Sequence, residues 1–233
     1  MDINKKYFFG VLLTIALAAC QPVQKADIWI KNGTLLDGSR GTPFIADILI
    51  KDGIITFTGH CDSLRTRAAR IIDATGYTVT PGFIDVHTHA MADLSDSTRH
   101  ANLNYLFQGV TTVMTGNDGG SVVKIGRQLA DWERQGIGTN AAILVGHRTV
   151  RKQVMKMENR PPATNEMDAM KKLVAKGMEE GALGFSTGLY YAPASFATTE
   201  EVIELAKVAA GYGGLYDAHI RDESSYNVGL LAA

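Results

Sequence analysis

Two histidines set two residues apart, His87 and His89, are the side chains in this sequence best placed to do chemistry. On a β-strand, residues i and i+2 project from one face, about 6.6 Å apart along the chain. At the C-terminal end of a strand, two imidazoles so placed can converge on one divalent cation at ~2.1 Å. Such a cation lowers the pKa of a bound water toward neutrality and polarises a bound oxygen, which is the chemistry of metal-assisted hydrolysis. A bare His-x-His arises often by chance. Here it closes the run Thr80-Pro-Gly-Phe-Ile-Asp-Val-His-Thr-His89, directly after a β-rich segment. The adjacent His60 and Cys61, at the end of a hairpin, read as structural, and His100, in a helical stretch, as solvated or packing.

The elements that must position this pair come as alternating strands and helices. Phe83–His89 reads as a buried strand, followed by strands at 109–115, 141–145, 182–186 and 214–219. Their starts fall roughly 33 residues apart, the length of one βα unit. Between them, Val122, Ile125, Leu129 and Trp132 fall at helical spacing, as do Met167, Met170, Val174 and Met178, and again Val202, Leu205, Ala206 and Ala209. Thr198-Thr-Glu-Glu201 predicts a capping box at the start of the last helix. Repeated strand–helix units predict a parallel sheet. The expected fold is α/β: an incomplete TIM-like (β/α)8 barrel of about five βα units over 81–233. A full barrel takes about 250 residues, so this chain is expected to stop after its fifth strand.

Before the barrel, residues 20–80 read as part of a small β-sandwich. Asn32-Gly33, Asp37-Gly38 and Asp52-Gly53 stand between β-rich runs and predict hairpins. Residues 1–19 read as a signal peptide. Lys5 and Lys6 precede the apolar run Tyr7–Ala19, which falls short of the ~20 residues needed to span a bilayer. The run ends Leu17-Ala18-Ala19-Cys20, which resembles a bacterial lipobox. That resemblance implies cleavage before Cys20 and lipidation of its thiol. Gln21 follows in place of the Asp that often marks inner-membrane retention, so the expectation is an exported protein anchored to the outer membrane.

Composition narrows the partners. The chain has 233 residues with 23 Lys+Arg against 24 Asp+Glu, a net charge of −1 that gives no basic field for nucleic acid. Two cysteines, one of them reserved for lipid, leave no intrachain disulfide framework. The sequence does not specify an oligomeric state.

Four further runs accompany the His-x-His strand: Gly109-Val-Thr-Thr-Val-Met-Thr-Gly-Asn117, Glu158-Asn-Arg-Pro-Pro162, Gly181-Ala-Leu-Gly-Phe-Ser-Thr-Gly-Leu189 and His219-Ile-Arg-Asp-Glu223. Together, over about residues 26–227, the chain resembles the metal-dependent amidohydrolases, and within them the N-acyl-D-amino-acid deacylases. The resemblance implies hydrolysis of N-acyl-D-amino acids to a carboxylate and a D-amino acid, with one or two Zn2+ or another divalent metal. It implies that His87 and His89 hold the weaker-bound ion and that His219 ligates the tighter one. Many family members place a zinc-ligating Cys where this sequence has Asp118, a harder and less zinc-selective donor. By the same resemblance Tyr191 contacts the substrate carboxylate, with Tyr190 beside it. His147, after the third strand, supports a metal ligand, faces the substrate or is a plain loop residue. No Lys stands on the fourth strand, so a carboxylated-lysine bridge is not expected.

The resemblance puts the catalytic Asp on an eighth strand and a second zinc-binding His on a sixth. No catalytic Asp is therefore expected in this chain, which is expected to be inactive alone. Two other readings stay open: a cyclic amidohydrolase of hydantoinase or dihydroorotase type, and a truncated lipoprotein without turnover.

Overall fold

A computed structural model describes residues 23–222. The signal run, Cys20 and Glu223 lie outside the described residues. The chain divides into two compact units with the boundary between Pro81 and Gly82.

The first unit is one mixed sheet of β1 (Gln24–Leu35), β2 (Phe44–Lys51), β3 (Ile54–Gly59), β4 (Thr66–Asp73) and β5 (Thr78–Val79). The order is β3-β2-β1-β4, with β5 also paired to β1. The β1/β2 and β2/β3 pairs are antiparallel, whereas β4 and β5 run parallel to β1. Asp52 and Gly53, both at positive φ (52° and 77°), form the two-residue turn between β2 and β3. Asn32-Gly33 is not a turn, contrary to the sequence expectation. Ile30 pairs with Ile48 and Gly33 with Ala46, so one extra residue bulges out of an unbroken strand. Asn32 takes the left-handed conformation there (φ 61°) and donates its N–H to Asp47 at 2.8 Å. A side chain at Gly33 would meet Val79 Cγ2 at 2.6 Å, so the close approach of β5 requires glycine. Asp37-Gly38 sits in the longer 36–43 connection. Trp29 and Leu49 pack on one face, with Cys61 against them. Burial, then the neighbouring Asp47 carboxylate, pushes the Cys61 thiol up, and its N–H is donated to Asp47 at 2.9 Å. Cys61 is thus a packing residue of the first unit.

The second unit is a curled all-parallel sheet, part of a (β/α)8 barrel. Its strands are β6 (Phe83–Asp85), β7 (Val110–Thr115), β8 (Asn140–Gly146), β9 (Gly184–Gly188) and β10 (Leu215–His219), each beside its sequence neighbour. Two short helices, α1 (Met91–Leu94) and α2 (Leu103–Leu106), follow β6. Then come α3 (Ile125–Gln135), α4 (His147–Met155), α5 (Thr164–Glu179) and α6 (Thr199–Gly211). The core forms where Val113, Ile143, Val145 and Phe185 of the strands meet Ile125, Trp132, Met170, Val174 and Leu205 of the helices. The methionines at helical spacing are packing residues, as periodicity predicts.

The first barrel strand is shorter and barer than expected. Its ladder ends at Asp85, and Phe83, Ile84 and Val86 are exposed. β6 is paired on one side only, with β7, so among the described residues no strand pairs with its outer edge.

Candidate metal centre

His87 and His89 lie just past the β6 ladder, and side chains rather than backbone pairing hold them there. Thr88 between them is buried and gives both its N–H (3.0 Å) and its hydroxyl (2.8 Å) to Met114 O on β7. Asn117, also buried, takes the Thr88 N–H at 3.3 Å and donates to Val86 O at 3.2 Å. With Thr88 fixed inward, alternation turns His87 and His89 the other way together, their rings edge to face with centroids 5.8 Å apart.

Asp118 meets them from the end of β7. Its backbone is left-handed (φ 55°), which Asp tolerates better than most residues. β9 lies so close that a side chain at Gly188 would come 2.2 Å from Asp118 O. The Asp118 carboxylate then faces both imidazoles: Oδ1 is 3.3 Å from His87 Nε2, and Oδ2 is 3.3 Å from His89 Nε2. Oδ1 is buried yet makes no aligned hydrogen bond among the described residues. A buried carboxylate oxygen without a donor is costly. The spacing explains it: ligand atoms around a tetrahedral cation with ~2.05 Å bonds lie ~3.3 Å apart. The three ligand atoms lie within 4.8 Å of one another. Two imidazoles and a carboxylate therefore fit a divalent cation of the zinc type.

A fourth residue, Asp217 on β10, was not legible in the sequence. Its Oδ1 lies 3.4 Å from His87 Nδ1, and its Oδ2 accepts from Asn117 Nδ2 at 3.1 Å. A carboxylate behind the far nitrogen of a ligating histidine fixes the ring and leaves Nε2 as the donor to metal. The signal was present: Asp217 stands two residues before His219 and shares its face of β10.

The other expected site residues lie outside the three-residue cluster. His219 ends β10 but is not part of the three-residue cluster; its Nε2 meets the Tyr191 hydroxyl at 3.4 Å and its Nδ1 lies 2.9 Å from Ile220 O. Tyr191 thus sits beside His219, its ring 5.0 Å away, with Tyr190 packed at 5.4 Å from Tyr191. His147 is neither substrate-facing nor a loop residue. It is the first residue of α4, fully buried, with Nε2 2.8 Å from Glu201 Oε1 and its ring edge-on to Phe185. Arg151 binds the other oxygen of Glu201. Burial pushes the Glu201 carboxyl up, but hydrogen bonds from His147 and Arg151 outweigh it and hold it below the usual range. The expected capping box at Thr198 is accordingly half made. Thr198 accepts the Glu201 N–H at 3.3 Å, while the Glu201 carboxylate turns inward to the buried pair. His100 is bound to Gly136 O and is structural.

Parallel strands presenting a His-His-Asp cluster at their C-terminal ends place the candidate metal site on the face where (β/α)8 barrels carry their active sites. Residues 70–229 match the Amidohydrolase family, and the chain belongs to it. It is similar to D-aminoacylase of Alcaligenes xylosoxydans xylosoxydans, with 35% identity covering 89% of this chain and 47% of the relative. An N-acyl-D-glutamate deacylase from Bordetella bronchiseptica, solved with zinc and a phosphonate mimic of the tetrahedral intermediate, superimposes with a TM-score of 0.80. It is 32% identical, over 88% of this chain and 47% of that one. L-hydantoinase of Arthrobacter aurescens, at 20% identity and TM-score 0.55 over 85% and 42% of the two chains, shares the fold alone. The chain spans about half the length of the curated relatives it matches.

Proposed function

We propose that this chain forms the metal-holding first part of an exported, lipid-anchored deacylase that hydrolyses N-acyl-D-amino acids to a carboxylate and a D-amino acid. The observation that carries the reading is the buried, donorless Asp118 oxygen set 3.3 Å from His87 Nε2, with Asp217 behind that ring. Bound there by His87, His89 and Asp118, a divalent cation supplies an acidified water and a polarised amide carbonyl. The chain's own part is orientation. Asp217 and Asn117 hold the His87 ring, Thr88 fixes the segment between the two histidines, and Tyr191 offers a hydroxyl beside His219 for a substrate carboxylate. By the family resemblance, the proton for the leaving amine comes from an Asp on an eighth strand. β9 reads Gly184-Phe-Ser-Thr-Gly188 without lysine, which favours the linear amide over a cyclic one.

The test is hydrolysis of N-acetyl-D-amino acids and of a hydantoin, side by side, by the protein extended through its downstream reading frame. The reading expects turnover of the N-acetyl-D-amino acid alone, lost with His87→Ala; turnover of the hydantoin alone contradicts it. Cys20 is the proposed lipid site and the outer membrane the proposed location. Cys20→Ser is expected to abolish incorporation of radiolabelled palmitate into the protein, and labelling that survives the substitution contradicts the lipid site.

A further inference from the structure

Beside the metal cluster, the loops that follow four strands enclose an open cavity of about 560 Å³. Met91, two residues after His89, and Gly120, two after Asp118, form one side; Pro193, two after Tyr191, forms another. The third side is α4 with Arg148 and Lys152, and Met157 beyond its end. Among the described residues no acidic side chain lines the space. Arg148 and Lys152 stand at i and i+4, so they share one face of the helix and repel each other. Neither has an ion pair among the described residues, in contrast to Arg160, Lys171 and Arg151, each of which meets a carboxylate. An anion in the cavity relieves that repulsion.

The half-buried Arg148 is also held in place. Its guanidinium lies 5.6 Å over the Tyr191 ring and so close to Gly120 that a side chain there would meet Nη2 at 2.6 Å. A guanidinium braced by an aromatic face and a glycine backbone loses little freedom on binding, and its planar fork matches a carboxylate. Tyr191 in turn reaches His219, so the cavity adjoins the place where the substrate lies in the proposed function.

We propose that this cavity is a subsite for a second carboxylate on the substrate, one carried beyond the scissile amide and its α-carboxylate and bound by Arg148 and Lys152. The inference rests on the deacylase reading for the word substrate, and its test reads binding rather than turnover. Two sources share this chemistry, an acidic amino-acid side chain and a dicarboxylic acyl group. The full chain, purified in detergent, is titrated by calorimetry with N-acetyl-D-glutamate, with its neutral counterpart N-acetyl-D-glutamine, and with N-succinyl-D-glutamine.

At least one of the two dicarboxylates is expected to bind roughly tenfold or more tighter than N-acetyl-D-glutamine, the size of one charge-assisted hydrogen bond. Arg148→Gln is expected to abolish that preference and Lys152→Gln to reduce it, with the helical circular-dichroism signal unchanged. Which dicarboxylate is preferred assigns the carboxylate to side chain or acyl group. Equal binding of all three, no binding of any, or a preference that survives Arg148→Gln overturns the subsite. Hydrolysis is scored separately in the extended protein. A chain that binds the dicarboxylate through Arg148 but never hydrolyses it refutes the deacylase and leaves the anion site standing.

Discussion

At the scale of single residues, the site was legible where side-chain type and spacing carried the information. His87 and His89 announced themselves because period-two alternation is a property of the chain alone. Asp118 became visible through its place after Gly116-Asn117. Asp217 did not, because one carboxylate among 24 acidic residues has no meaning until the sheet brings it across 130 positions to His87. Its role makes a sharp prediction. Asp217→Asn keeps a polar group of the same shape but removes the charge behind His87 Nδ1. Zinc affinity is expected to fall about 10- to 100-fold, the usual consequence of losing such a partner. Competition with a chromophoric chelator measures it; an unchanged affinity shows that Asp217 is only a structural acceptor for Asn117.

At the scale of elements, strands and long helices followed from periodicity, while two features escaped. Asn32-Gly33 has the composition of a hairpin turn, yet β2 and β5 pair with β1 on the far side of it, and the dipeptide serves as a bulge. Helix α4 hid because its buried positions are His147, Val150, Arg151 and Met155, helical in spacing but half polar, so an apolar pattern does not mark them. Those polar positions exist to meet Glu201 of α6, and the group ties two helices through one buried carboxylate. Because folding lowers the Glu201 pKa from its ordinary 4.5, this stabilisation is complete above about pH 4.5 and is lost as pH falls through the folded value. Glu201→Gln leaves the buried Arg151 uncompensated and is expected to cost about 3 kcal/mol or more at pH 7. The variant is also expected to lose less stability than wild type between pH 5 and pH 3. Urea denaturation at the two pH values checks both statements, and a parallel decline contradicts the second.

At the scale of the whole molecule, the fold class was readable from five strand–helix repeats, but exposure along the sheet was not. Phe83 and Ile84 on β6 and Leu215 and Tyr216 on β10 are each more than half exposed, and both strands are edges among the described residues. Open edges carrying apolar side chains recruit other strands. The isolated chain is therefore expected to self-associate with rising concentration in sedimentation velocity, and Ile84→Lys to reduce that association. A monomer at all concentrations contradicts this account of the edges. Period-two patterning predicts which residues share a face, and it is silent on whether that face is covered.

The central claim is that His87, His89 and Asp118 together hold a divalent cation. The measurement that meets it most directly is the zinc content of the purified chain by elemental analysis, wild type beside Asp118→Ala, with folding monitored by circular dichroism. The account predicts at least one bound zinc in the wild type and one equivalent fewer in a folded Asp118→Ala. The same stoichiometry in both proteins would contradict it.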